Sequence, residues 1–297
     1  MTLHLKRRVK GAAIQTARAS SSVGAGFVSR RLLGPIKIDY DPPPASSVPL
    51  LYPGGRRSAA CISVDYDVTV PDRAGPNRAG TGALLALSEK YGVPITWAVC
   101  GMTAEADPES YRRIAASPVR QELGIHTYSH VDAQKVDEEA FEKDVVRCIE
   151  ALRMASTPPT FVFPWNRVNH FQVLRRLGFK VYRGKERAVG APAPSEGLYN
   201  VRPVYYVDQK SAGAQSLINK YADLCASASS VFHLWTHPWS IVMRDGSGPM
   251  VETLEPVFAH MKQLSDSGQM ALCTMGELAA HLGPPAPRPA VAAHGAD

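Results

Sequence analysis

Short apolar runs alternate with amphipathic segments over most of the chain. Seven runs rich in β-branched and aromatic residues predict strands, near residues 59–66, 94–100, 122–127, 160–164, 179–183, 231–236 and 270–274. The clearest amphipathic segment runs from Asp137 to Met154, with Phe141, Val145 and Cys148 on one stripe. Strands that alternate with helices are typical of parallel sheets with helical crossovers. The pattern therefore predicts an α/β fold with seven units, an incomplete (β/α) barrel.

Local signals place the other helices and one irregular region. A helix follows the first strand at residues 83–90, another opens at Pro108, and a third ends at Gly178. Further helices are expected at 215–225, 254–264 and 277–282. Residues 188–212 interrupt the alternation and predict a long excursion with room for an extra hairpin.

Charge divides the chain into three parts. Residues 1–57 form a basic arm and a Pro-rich linker, residues 58–282 the barrel domain, and residues 283–297 a disordered tail. The first 38 residues contain several lysines and arginines and no acid, so the formal net charge of +6 belongs to the arm. We expect the arm either to contact an anionic membrane surface or to be a solvated tail. Nucleic-acid binding is not expected, because the body has no basic patch with interleaved aromatic residues.

Composition bounds the remaining possibilities. Hydrophobic residues make up 45% of the chain, and no run approaches the roughly 20 apolar residues of a membrane span. The five cysteines are scattered and three of them lie inside apolar runs, which predicts buried free thiols and a reducing compartment. The expected location is cytoplasmic, with peripheral contact at the inner face of a membrane if the arm binds there. The sequence leaves the oligomeric state open.

Two motifs at predicted strand ends have the composition of a metal site. His126 and His130 are four residues apart at the end of one strand, where alternation places them on the same side. Asp65 and Asp67 share a face at the end of the first strand. One carboxylate and two imidazoles form a ligand set that leaves open positions for water and substrate. The second carboxylate would then be free to act as a base.

These motifs, together with Leu234-Trp235-Thr236-His237, resemble the polysaccharide deacetylase family, carbohydrate esterase family 4. The resemblance covers roughly residues 58–282 and implies a distorted, TIM-like (β/α)7 barrel in a single domain. It implies that Asp65 is the general base and His237 the general acid. It also implies that Asp67, His126 and His130 bind a divalent metal, Zn²⁺ first, with Co²⁺, Mn²⁺ or Ni²⁺ as alternatives.

The sequence departs from this family at two motifs. Val162 stands where the family usually has an arginine that orients the base, and the Asp-Trp pair of the fourth motif has no clear counterpart. A nearby cation would keep a buried carboxylate ionised and oriented. Arg183 is the favoured replacement, because its predicted strand lies beside the fourth strand of a barrel. Arg167 is the second choice, and Asn166 would supply a neutral donor if both arginines point away.

Aromatic residues near the same strand ends predict the substrate class. Trp165, Trp239 and Tyr128, with Asn166, are expected to contact substrate, because sugar rings present flat C–H faces that stack on aromatic side chains. The resemblance implies a metal-dependent hydrolase that removes an N-acetyl group from a polysaccharide, an oligosaccharide or a lipid-linked glycan precursor. The alternatives are a barrel that binds carbohydrate without turning it over, and a deacylase of a small non-sugar amide.

Overall fold

The computed structural model describes residues 39–40, 50–67 and 73–285 of the chain. The basic arm, most of the linker and most of the tail predicted from the sequence lie outside these residues. Within the described ranges, no helix combines the length and the apolarity that crossing a membrane requires.

Twelve strands occur in the described part of the chain. They are β1 (Asp39–Tyr40), β2 (Ser58–Tyr66), β3 (Ile95–Val99), β4 (Gln121–Ile125), β5 (Thr160–Val162), β6 (Val181–Arg183), β7 (Ala188–Val189), β8 (Ala193–Ser195), β9 (Leu198–Asn200), β10 (Tyr205–Val207), β11 (Val231–Thr236) and β12 (Met270–Leu272). Each of the seven predicted strands is present, so the alternating pattern located the main sheet.

Eight α-helices cover the same ranges. They are α1 (Ala74–Tyr91), α2 (Gly101–Ala106), α3 (Pro108–Ala115), α4 (Glu138–Ala151), α5 (Phe171–Leu177), α6 (Gln215–Ser227), α7 (Val251–Asp266) and α8 (Met275–Leu282). Local chemistry fixes several ends. The Asp137 side chain accepts a hydrogen bond from the Ala140 amide at the start of α4, and Gly178 ends α5 in the left-handed conformation at φ 94°.

The main sheet is curled and almost entirely parallel. Its order is β10-β11-β2-β3-β4-β5-β6-β9-β8, and only β8 runs antiparallel to its neighbour. β2 is buried at all nine positions and has three strand neighbours, since β12 pairs with its first residues beside β11 and β3. Pairings between the described strands do not close the sheet into a ring, which confirms the predicted incomplete barrel. The carboxyl ends of the parallel strands meet at one edge, where such sheets place their binding sites.

One close approach ties helix α1 to that edge. The helix packs against the 3₁₀ turn Pro238–Ile241, which is separated from the end of β11 by one residue, His237. A Cβ added to Gly80 would overlap the backbone carbonyl of Pro238, so only glycine permits this contact. The helix and the turn therefore touch backbone to backbone.

Three features differ from or extend the sequence prediction. α1 begins nine residues before the predicted start. The prediction was too short because Gly75, Pro76, Gly80 and Gly82 have low helix propensity, yet all four lie inside the helix. The excursion at 188–212 contains the expected hairpin, β8–β9, and also β10, which joins the main sheet beside β11. All five cysteines are buried and free, as predicted.

Candidate active site

The two aspartates of the first motif lie at the end of β2. Asp65 is the penultimate residue of the strand and Asp67 the first residue after it, and both are buried. Because side chains alternate along a strand, the two carboxylates lie on the same side of the sheet. A buried carboxylate requires compensation by charges or hydrogen bonds, and here these come from neighbouring strands.

The two histidines of the second motif lie in a turn rather than on a strand. β4 ends at Ile125, one residue before His126, so strand alternation does not bring His126 and His130 together. They meet because Thr127 and His130 both adopt the left-handed conformation, at φ 60° and 59°. The predicted pairing is present, but the reason given for it was wrong. A positive φ is unusual for a β-branched residue such as Thr127 and is typical of functional sites.

Asp144 of α4 holds this strained turn in place. Its carboxylate accepts hydrogen bonds from the backbone amides of Tyr128 and Ser129, at 2.7 and 3.1 Å, and from the Ser129 hydroxyl at 2.6 Å. The Thr127 hydroxyl accepts from the Val131 amide at 3.1 Å. These bonds compensate the strain of the turn. The sequence offered no signal for Asp144, because it lies in the middle of an otherwise ordinary amphipathic helix.

Asp67, His126 and His130 form a compact cluster of potential metal ligands. One ligand atom from each lies within 4.8 Å of the other two. His130 Nε2 is 3.0 Å from Asp67 Oδ2, and His126 Nε2 is 3.9 Å from the same oxygen. Burial alone would raise the pKa of Asp67, but the hydrogen bond from His130 and the charges of the nearby histidines hold it below its usual range.

The state of His126 fits a metal ligand. Its Nδ1 lies 2.8 Å from the Val162 carbonyl oxygen, and since a carbonyl can only accept, Nδ1 carries the proton. Nε2 is therefore a lone-pair acceptor, and it is buried without a hydrogen-bond partner. Burial lowers the pKa of His126 to about 4, so the ring is neutral near pH 7. A neutral imidazole that donates its one N–H to a backbone carbonyl and keeps its other nitrogen free is the usual arrangement of a metal-binding histidine.

Arg183 lies directly against Asp65. Its Nη1 donates to Oδ1 at 2.7 Å and its Nη2 to Oδ2 at 2.5 Å, the bidentate contact expected for this residue. β5 and β6 pair with Val162 opposite Arg183, so the arginine comes from the neighbouring strand at the same level of the sheet. Burial opposes ionisation of Asp65, but the charges of Arg183, His126 and His237, together with the hydrogen bond from Arg183, hold the pKa of Asp65 below its ordinary value.

The other two residues considered for this role lie elsewhere or contribute less. Arg167 pairs with Asp132 at the rim and is half-exposed. The Asn166 amide oxygen lies 3.4 Å from Arg183 Nη2, a long contact that adds to the environment of the guanidinium. Asn166 therefore approaches the arginine rather than the aspartate.

His237 faces both carboxylates from the opposite side. It follows β11 directly, and its Nε2 is 3.7 Å from Asp65 Oδ2 and 3.8 Å from Asp67 Oδ2. Burial lowers the pKa of His237, and the two carboxylates partly offset this. The neighbouring His233 lies on the same strand but is fully buried and bonds to Ser63, so it does not share this position.

Sequence reasoning missed Tyr206 on β10. Its hydroxyl lies 3.2 Å from His237 Nδ1, the ring nitrogen that points away from the carboxylates. Its ring stacks on Trp235 with centroids 4.1 Å apart. Burial raises the pKa of Tyr206 to about 12, so the hydroxyl stays protonated near pH 7. The only available signal was the Tyr205-Tyr206 pair in the excursion, and β10 was not recognised as part of the main sheet.

The aromatic residues predicted to contact substrate occupy three different environments. Trp165 follows β5, is 61% exposed and lies 4.8 Å from the His130 ring. Trp239 donates its indole N–H to Asp67 Oδ1 at 3.1 Å and packs 4.6 Å from His237. Both tryptophans therefore border the cluster, Trp165 facing solvent and Trp239 bonding to a ligand.

Tyr128 is oriented differently. It is 7% exposed, its hydroxyl donates to Glu105 at 2.7 Å, and the Arg147 guanidinium lies 3.7 Å from its ring centre. These partners belong to α2 and α4, in the helical layer. The contacts favour a packing role for Tyr128 over the predicted contact with substrate.

The sequence model of the polysaccharide deacetylase family matches residues 55–182. That segment contains both the Asp65/Asp67 and the His126/His130 motifs. Over this segment the chain is similar to the polysaccharide deacetylase family.

Two curated relatives match a shorter part of the chain. A peptidoglycan-N-acetylglucosamine deacetylase of Bacillus cereus is 32% identical over 91 residues, which are 30% of this chain and 32% of the relative. A chitooligosaccharide deacetylase of Rhizobium leguminosarum bv. trifolii is 33% identical over 90 residues, 30% of this chain and 41% of the relative. The matched segment thus spans between a third and two fifths of these relatives.

Solved structures share the fold of this chain. A Mycobacterium smegmatis structure described as a polysaccharide deacetylase is similar at a TM-score of 0.65 and 21% identity, over 82% of this chain and 94% of the other. The allantoinase PuuE is similar at a TM-score of 0.61 and 15% identity, over 83% and 97% of the two chains. At these identities the likeness concerns the fold alone.

Proposed function

We propose that the protein is a metal-dependent hydrolase that removes an N-acetyl group from a sugar. The single observation that carries this proposal is the position of two proton-transfer groups beside one ligand cluster. Asp65 lies on β2, two residues before Asp67, and His237 faces both carboxylates from the end of β11. The sequence around each of these two groups resembles a motif of the family.

The residues around the cluster fit a divalent metal. Asp67, His126 and His130 would hold it, since they supply one carboxylate and two imidazoles with an unpartnered buried nitrogen on His126. When bound, such a metal supplies Lewis acidity for the acetyl carbonyl and makes a water molecule more acidic. Zn²⁺ is the first choice for this ligand set, and Co²⁺, Mn²⁺ or Ni²⁺ suit it too.

The protein's own groups then divide the proton transfers. Asp65, kept ionised by Arg183, accepts a proton from the water that adds to the acetyl carbon. His237 donates a proton from Nε2 to the amide nitrogen as the carbon–nitrogen bond breaks, because an unprotonated amine departs poorly. The products are acetate and a free amino group. Trp165 carries the sugar ring, a role supported by its exposed indole and its ring centre 4.8 Å from that of His130.

Acetate release from a panel of N-acetylated sugars tests the proposal. Purified protein loaded with Zn²⁺ or Co²⁺ should release acetate from at least one of four substrates, namely chitooligosaccharide, peptidoglycan fragment, lipid-linked N-acetylglucosamine and nucleotide-linked N-acetylglucosamine. The Asp65→Asn variant is the matched control, since it keeps the metal ligands. Binding of a sugar without acetate release in any metal form would instead support a non-catalytic carbohydrate-binding barrel. Turnover of small amides alone would identify a non-sugar deacylase.

A further inference from the structure

Below the candidate base lies a fully buried polar chain that runs from β11 through β2 to β6. His233, Ser63 and Arg183 are each 0% exposed. His233 Nε2 lies 2.8 Å from Ser63 Oγ, and Arg183 Nη1 donates to the same oxygen at 3.0 Å. Arg183 then reaches Asp65 through both Nη atoms. The three residues connect the interior of the barrel to the carboxylate at its edge.

The direction of every hydrogen bond among these residues follows from the position of the proton on His233. His233 Nδ1 lies 2.9 Å from the Val201 carbonyl oxygen, which can only accept, so Nδ1 carries the proton. Nε2 of the neutral ring is then an acceptor, and the Ser63 hydroxyl must donate to it. The lone pairs of Ser63 are therefore directed toward Arg183, whose Nη1 donates to them. Burial and the charge of Arg183 lower the pKa of His233 to about 3, which agrees with a neutral ring.

Arg183 depends on few other contacts for its position. Its Nε has no hydrogen-bond partner, and Nη2 reaches Asn166 only at 3.4 Å. The guanidinium also lies 4.2 Å from the centre of the Trp235 ring, which restricts it to one plane. Within that plane, Ser63 is the one neutral partner at normal hydrogen-bond distance among the described residues. Val162, opposite Arg183 in the strand pairing, offers no polar side chain.

We propose that Ser63 and His233 are positioning residues that hold Arg183 in the orientation that fixes the Asp65 carboxylate. This inference rests on the proposed function, in which Asp65 is the base. His233 sets the direction of the Ser63 hydroxyl, and Ser63 sets the in-plane position of the arginine fork. Neither residue touches substrate. Their effect is on the alignment of Asp65, so it concerns turnover more than substrate affinity or metal binding.

A matched pair of variants tests the role of His233. In His233→Gln the side-chain amide reaches the place of the imidazole Nε2 and retains an acceptor for Ser63. In His233→Asn the shorter amide reaches the place of Nδ1, toward Val201, and loses Ser63. We expect kcat of His233→Gln to stay within about threefold of wild type, and kcat of His233→Asn to fall about 10- to 100-fold with KM and metal content unchanged. Equal kcat in the two variants would overturn the proposal.

A double-mutant cycle tests whether Ser63 acts through Arg183. Ser63→Ala should lower kcat about 10- to 100-fold in the wild-type background and less than twofold in the Arg183→Lys background, because coupled residues are not additive. The same loss in both backgrounds would show that Ser63 acts independently of the arginine, which contradicts the proposal.

A spectroscopic measurement separates this inference from the proposed function. The ¹⁵N-labelled Arg183 Nη groups should give resolved, slowly exchanging NMR signals in wild type and His233→Gln, and exchange-broadened signals in His233→Asn and Ser63→Ala. Resolved signals in all four proteins would overturn the positioning role whatever the kinetics show. If no N-acetylated sugar is hydrolysed, the proposed function fails, and the spectra alone decide whether the chain of bonds holds Arg183.

Discussion

The candidate ligand cluster comes from two short stretches of sequence, whereas the groups that contact the proposed base and acid come from several strands. Asp67, His126 and His130 lie just past β2 and β4, and their geometry is set by a local turn and one helix side chain. Arg183 and Tyr206 reach Asp65 and His237 from β6 and β10. The three residues of the cluster lie in compact sequence motifs. Arg183 and Tyr206 belong to no motif and are brought to the site by strand pairing. The proposed metal ligands are thus encoded locally, and the proposed proton-transfer groups are held by tertiary structure.

The largest effect that distinguishes the two regions is expected from a substitution in the candidate ligand cluster. His126→Ala removes the buried lone-pair nitrogen, so we expect it to lose both bound metal and all measurable acetate release. Wild-type protein should hold about one divalent ion per chain, as a three-ligand site does. Elemental analysis after dialysis measures this directly, with His260→Ala, a remote surface histidine, as the control. Full metal occupancy in His126→Ala would contradict the assignment of the cluster.

The second largest effect is expected in the proton-transfer region. Asp65→Asn and His237→Ala should each lower kcat on the order of 10²- to 10⁴-fold, because each removes a general acid or base. Both variants should keep the metal, since neither residue belongs to the ligand cluster. Parallel measurement of kcat and metal content checks this. If Asp65→Asn lost its metal and Asp67→Asn kept it, the roles of the two aspartates would be exchanged.

A smaller effect is expected at Tyr206. Tyr206→Phe keeps the ring that stacks on Trp235 and removes only the hydroxyl bonded to His237 Nδ1. One hydrogen bond contributes about 0.5–1.5 kcal/mol, which corresponds to a 2- to 10-fold decrease in kcat. Tyr205→Phe, next to it in sequence, is the matched control and should leave kcat unchanged. Equal effects of the two substitutions would exclude a specific role for the Tyr206 hydroxyl.

The smallest effect on stability and metal binding is expected at Trp165. Because its indole is 61% exposed, Trp165→Ala should leave the melting temperature and the metal content unchanged. If the ring carries the sugar, KM should rise several-fold while kcat changes little. Trp97→Phe, at a buried strand position, should show the opposite pattern, a lower melting temperature with unchanged KM. An unchanged KM in Trp165→Ala would remove this residue from the substrate contacts.

The sequence was informative where local periodicity and capping decide the structure. The α4 boundaries follow from Asp137 as N-cap and from one apolar stripe, and the β2 position follows from a continuous buried run. α1 was predicted too short, because contact with the turn after His237 overrides the low helix propensity of Gly80 and its neighbours. Tertiary contact decided that boundary.

The site residues were also predictable only where a sequence motif or the order of neighbouring strands indicated their position. Arg183 was inferred because neighbouring barrel strands place their ends side by side, and the structure places it on Asp65. Asp144, Tyr206 and His233 carry no motif, since their partners lie between 15 and 170 residues away in the chain. Tyr128 lies inside a motif, yet its side chain turns to the helices because the left-handed turn at Thr127 reorients the backbone. Position in a motif therefore located the clustered side chains of Asp67, His126 and His130, but not the surroundings of the Tyr128 side chain between the two histidines.

The backbone contact between Gly80 and Pro238 also limits how His237 can move. The residue directly precedes Pro238, and α1 leaves that turn no space to shift toward the helix. The His237 imidazole is further confined because it packs against the Trp239 ring and its Nδ1 contacts the Tyr206 hydroxyl. Most of the torsional freedom of the His237 side chain is thus lost when the chain folds. If His237 is the acid, little of its entropy remains to be lost when a substrate arrives, so the cost of aligning it is met during folding rather than in each turnover.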